Sequence, residues 1–162
     1  MSFNYGSTSI KINIFQEAMD HCRWKKNLDT VLLRPELHDS GLQDYSGKSF
    51  EEIVLIVYNL CEKVKGVGLL TVYDIAAAIC RHNNTPIEKV YIIGRGPVRA
   101  ARLLNIKLKT HKIEKIALKY IEISEIIEAF DKQKHEIDIE IKQSSSGDDF
   151  ETYICNWQKD KK

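Results

Sequence analysis

Ser49-Phe50-Glu51-Glu52-Ile53-Val54-Leu55-Ile56-Val57-Tyr58-Asn59-Leu60-Cys61 leads through Glu62-Lys63-Val64-Lys65 into Gly66-Val67-Gly68, and then into Leu69-Leu70-Thr71-Val72-Tyr73-Asp74-Ile75-Ala76. The stretch opens with a capping box: a Ser hydroxyl can accept from the first-turn amides while Glu52, three residues on, reaches back to the cap amide. Ile53, Val54, Ile56, Val57, Leu60 and Cys61 follow at helical spacing, which predicts a helix from about Phe50 to Val64. Gly66-Val67-Gly68 breaks it. Thr71 to Asp74 offers a second capping box, predicting another helix that ends near His82-Asn83-Asn84. Two helices meeting at a glycine turn is the expectation on which the fold reading rests.

Outward from this pair, Ile14, Phe15, Ala18, Met19 and Cys22 predict an amphipathic helix ending near Trp24-Lys25-Lys26, preceded by a polar, flexible N-terminus over residues 1–9. Leu28 to Leu33 is a short apolar run, and Pro35 to Gly47 reads as a loop. On the other side, Val90-Tyr91-Ile92-Ile93 fits a short strand or extended connector. Pro97 suits a helix's first position, with Val98 to Asn105 continuing it. Ile113 to Phe130 reads mostly as helix. Ile137 to Ile141 alternates like a strand, although five residues leave a helix open, and Phe150 to Trp157 is a final amphipathic piece. The expected fold is mainly α: a single domain over 1–162 of about six helices, with at most a small strand pair.

Composition narrows the class. Of 162 residues 43% are hydrophobic and 29% charged, with eight glycines and three prolines, so the chain has the makings of a folded core. No apolar run approaches the roughly 18 residues of a membrane span, and the start lacks the basic-then-apolar pattern of a secretory signal, so a cytoplasmic protein without membrane contact is expected. Cys22, Cys61, Cys80 and Cys155 are widely spaced with no Cys-x-x-Cys pair, which fits reduced, mostly buried thiols.

The net charge of +1 hides a segregation. Residues 1–47 hold five basic and six acidic side chains, 48–112 hold eleven and five, and the acidic part, 113–162, holds eight and twelve. Within the basic middle, Lys89, Arg95, Arg99, Arg102, Lys107, Lys109 and Lys112 follow one another with no Asp or Glu between them. An unneutralised strip of this kind attracts phosphates, and a row of long cations solvating a helix face is the plainer alternative.

The turn at Gly66-Val67-Gly68, with its flanking helices over about Glu51 to Asn83, resembles a helix-hairpin-helix motif. That family implies a pair of helices binding nucleic-acid backbone without reading sequence, with Gly66 and Gly68 letting backbone amides approach a phosphate and the second helix directing its positive end there. Leu69-Leu70 stand where family members often carry a cation; Lys63 and Lys65, just upstream, are the substitutes. A tight helix corner whose glycines serve packing alone is the other reading of the same residues.

Val90 to Arg102 superficially resembles the strand, Gly-x-Gly turn and helix of a dinucleotide-binding unit, but Arg99 occupies the place of the third glycine and no further parallel strands are readable. Anion binding needs no such fold: Arg95, Arg99 and Arg102, spaced by four and three, share one helix face beside Gly96 and the helix start, while Ala100, Ala101 and Leu104 turn inward. Gly47-Lys48-Ser49 mimics a phosphate loop, but Ser49 is better explained as a cap. His21, Cys22, Cys80 and His82 do not make four convergent donors, so no metal or cofactor is expected. No nucleophile and base pair stands out, and the chain reads as non-enzymatic.

The expected activity is binding of nucleic-acid backbone, DNA or RNA, through Lys65, Gly66, Gly68, Arg95, Gly96, Arg99, Arg102, Lys107 and Lys109. Two alternatives stay open: a regulatory factor with an acidic protein partner and a purely structural hairpin, or a protein holding a phosphorylated metabolite at the Gly94–Pro97 turn.

Overall fold

The computed structural model describes residues 45–62 and 67–161. The expected helix over Ile14 to Lys26, the Leu28 to Leu33 run, most of the Pro35–Gly47 loop, Cys22, and the turn residues Lys63, Lys65 and Gly66 lie outside the described residues. The chain divides into two compact units, Met1–Pro86 and Ile87–Lys162.

In the first unit, α1 spans Phe50–Cys61 and α2 spans Leu69–Asn83. The capping box forms as expected: Glu52 N donates to Ser49 Oγ at 3.2 Å and Ser49 N donates to Glu52 Oε2 at 3.0 Å. One stripe of α1, Ile53, Val54, Val57 and Cys61, is buried. Burial pushes the Cys61 thiol up to about 11, so it stays protonated and unreactive at neutral pH. Helix α2 starts three residues earlier than expected: its N-cap is Gly68 in place of Thr71, with no side-chain cap, and Thr71 lies within the helix. Its residues Ile75 to Cys80 are all buried, and the three alanines among them allow close packing. Phe50 and Tyr73 meet edge to face at 6.2 Å. Asn84 closes α2 in the left-handed conformation at φ 54°, where Asn is tolerated.

In the second unit, β1 (Val90–Tyr91), α3 (Arg95–Leu103), β2 (Lys109–Ile113), β3 (Ile116–Ile121), α4 (Ile123–Lys132), α5 (Ile139–Lys142) and α6 (Gly147–Trp157) follow in order, with a 3-10 turn at Gln158–Asp160. The strands form one antiparallel sheet in the order β1-β3-β2. Among the described residues the fold is therefore mainly α, with six α-helices, but the sheet has three strands where the sequence reading allowed a small pair.

Two sequence expectations are corrected here. The first half of Ile113 to Phe130 is not helix: Ile116, Leu118 and Ile121 are buried along a strand, and helix begins only at Ile123. The alternating Ile137 to Ile141 stretch contains a short helix, not a strand: Ile137 and Ile141, four residues apart, pack against the core while Ile139 stands 72% exposed.

Register divides the side chains of the sheet between two faces. The first face carries Tyr91, Lys109, His111, Ile113, Ile116, Leu118 and Tyr120; the second carries Val90, Thr110, Lys112, Ala117, Lys119 and Ile121. Val90 and Ile121, at one end of the second face, join Ala100, Phe130, Phe150 and Ile154 in the core formed with α3, α4 and α6.

Candidate nucleic-acid interface

Helix α3 places the arginine row. Gly94 is its N-cap, Pro97 sits at its third position instead of the expected first, and Ala100, Ala101 and Leu104 are buried as the spacing requires. Arg95 and Arg102 are exposed; Arg99, between them, is half-buried. Its guanidinium donates to the Gln158 backbone oxygen, to Gln158 Oε1 at 2.7 Å, and to the Lys161 backbone oxygen. Arg99 is therefore a staple for the C-terminal turn, its planar fork matched to carbonyl oxygens in the way it would match a phosphate.

Replacing Arg99 by Leu, which keeps the packing stem and deletes the donors, is expected to cost about 2 kcal/mol, because Gln158 Oε1 and the Lys161 carbonyl lose this donor and the Gln158 carbonyl keeps the Lys161 amide at 3.2 Å. A thermal melt should fall by roughly 4–8 °C; an unchanged melt would show the staple to be idle.

Gly96 is buried against α6, and a Cβ there would stand 2.5 Å from Cys155 Sγ. Close packing accounts for this glycine. Lys109 lies on the first sheet face, where its ammonium meets Glu125 Oε2 at 3.0 Å and Glu122 Oε1 at 3.8 Å and sits over the Tyr120 ring at 5.4 Å. The hydrogen bond to Glu125 holds the lysine above its ordinary value. Glu125 is held below its own, first by the Glu122 amide donating at 2.7 Å and then by Lys109. A carboxyl lowered on folding adds stability above its unfolded value and loses it as pH falls through the lowered one. The acidic part of the chain thus neutralises Lys109 but not the cations before it.

Lys107, in the loop before β2, is exposed. Among the described residues no carboxylate pairs with Arg95, Arg102 or Lys107; a further ion pair joins Lys132 to Glu128 at 3.0 Å within α4. These three cations, with the exposed Lys112 on β2, are the open part of the predicted strip.

In the first unit, Gly68 is exposed with an extended backbone, and a Cβ would meet nothing within 4 Å. Packing does not demand a glycine there, unlike at Gly96. The α2 amides at Leu69, Leu70 and Thr71 follow with no side-chain cap.

The sheet carries chemistry that sequence reasoning missed. On the first face, Tyr91 Oη and His111 Nδ1 are 2.9 Å apart, Tyr120 packs against both rings, and Lys89 Nζ lies 5.4 Å from the Tyr120 ring centre. With Lys109 also over that ring, its cation-attracting surface is already in use. On the second face, Lys112 and Lys119 are exposed, and strand register alone brings Lys119 beside Thr110. Among the described residues no three His, Cys, Asp or Glu side chains cluster as metal ligands, and no helix is long and apolar enough to cross a membrane. Comparison with protein-family models, with curated proteins and with solved structures finds no match to this chain.

Proposed function

We propose that this protein binds the phosphate backbone of nucleic acid without reading its sequence. The observation that carries the reading is the exposure of Arg95, Arg102 and Lys107 with no carboxylate partner among the described residues, while Lys109 and Lys132 are held by glutamates. Cations left in this state release counterions when they meet phosphates. The resemblance of α1, the glycine turn and α2 to a helix-hairpin-helix adds a second contact of the same chemistry, supported by the exposed, uncapped start of α2 at Gly68. The metabolite alternative is weaker, since Gly96 and Pro97 are buried and Arg99 is engaged by the C-terminal carbonyls.

Fluorescence anisotropy with labelled duplexes of unrelated sequence tests this. Three phosphate contacts predict a salt slope of about −2.7 or steeper, hence an affinity loss of about 40-fold or more between about 50 and 200 mM salt, with little difference between sequences. Binding that ignores salt, or none to either single- or double-stranded DNA and RNA, rejects the proposal.

A further inference from the structure

The second face of the β2–β3 hairpin has one covered end and one open end. Val90 and Ile121 lie in the core with the helices, whereas Thr110, Lys112, Ala117 and Lys119 are all exposed. Register sets Thr110 opposite Lys119 and Lys112 opposite Ala117, so these four form a compact block across two strands. The block holds two ammonium groups, a hydroxyl and a methyl, and no carboxylate. Lys119 Nζ donates to Thr110 Oγ1 at 2.7 Å, which fixes its position and leaves two of its three donors for another acceptor.

Building on the backbone-binding reading above, we propose that this open half-face grips the phosphates of double-stranded nucleic acid. Charge names the occupant as a polyanion, and two features select a duplex. First, a surface that holds single strands uses exposed aromatic rings as stacking platforms. This block has none: Tyr91, His111 and Tyr120 are on the opposite face, engaged with one another and with Lys89 and Lys109. Second, the two cations stand diagonally across two hydrogen-bonded strands, a relation that spaces them about 7–8 Å apart at the backbone, a fixed pair that suits a stiff phosphate lattice. Ala117, beside Lys112, lets that lattice come close to the strands.

The test compares the intact chain with K112Q/K119Q on a short duplex and on oligo-dT of equal length, across about 50–200 mM salt. The variant's duplex slope should be shallower by about 1.8, and its affinity at about 0.1 M salt lower by about 60-fold. The wild type should prefer duplex to oligo-dT. Both lysines are exposed, so a melting curve matching the wild type is expected and shows the fold kept. If the wild type binds duplex and the variant binds with the same slope and affinity, or if oligo-dT is preferred, the hairpin assignment fails while the broader reading stands. If the wild type binds neither the duplex nor oligo-dT, both fail.

Discussion

Replacing Gly147 by Ala is expected to destabilise the second unit more than any other single methyl added to the described glycines. Gly147 opens α6, and its amide donates to the Ile87 carbonyl at 2.6 Å. A Cβ there would stand 1.9 Å from the Lys89 carbonyl oxygen, 2.5 Å from the carbon that bears it and 3.1 Å from the Ile87 oxygen. All three are backbone atoms, so no side chain can rotate away. Relief requires α6 to shift or residues 87–89 to move, and those residues lead directly into β1. Either movement pulls Val90 away from Phe150 and Ile154 in the core. Overpacking against rigid backbone places the cost at about 3 kcal/mol or more. A melt followed by circular dichroism should drop by roughly 6–12 °C. A drop under about 2 °C would mean the α6 start is free to slide, and the packing described around β1 would be wrong.

What could be read in advance divides along the range of the interactions. The Ser49 and Glu52 capping box, the inward alanines of α3 and the Asn84 stop are local, and each was legible because the partners lie within four residues. The β2–β3 hairpin was not. Its turn is Glu114-Lys115, with a left-handed φ of 52° at Glu114, so none of the Gly or Asn residues that normally announce a two-residue turn is present. Ile116, Leu118, Ile121, Ile123 and Ile126 also satisfy helical and alternating spacing about equally well, and burial alone separates them. For the site, spacing placed the arginines on one helix face. It could not show that Arg99 is met by carbonyls about sixty residues later, or that the sheet brings Lys109 to Glu122 and Glu125. Charge counts along a chain report supply, and tertiary pairing decides what stays open.

That distinction yields a contrast between cations of one strip. Reversal of the open pair, R95E/R102E, is expected to weaken duplex binding on the order of 10²-fold at about 0.1 M salt, since two contacts contribute about 60-fold and the new carboxylates add repulsion. Fold loss does not explain such a result. Arg95 is the first residue of α3, where a Glu gains about 0.3–1 kcal/mol from the helix dipole, and Arg102 lies in the last turn, where a Glu loses a similar amount. The two effects nearly cancel, and the melt should stay close to that of the wild type. Neutralising Lys109 with K109Q should leave affinity within about twofold, because its charge is already held by Glu125. Raising the salt should shrink the gap between R95E/R102E and wild type as the Debye length shortens to about 3 Å near 1 M. Should K109Q and R95E/R102E weaken binding equally, exposure would not be what separates these cations, and the open strip would lose its claim to the phosphates.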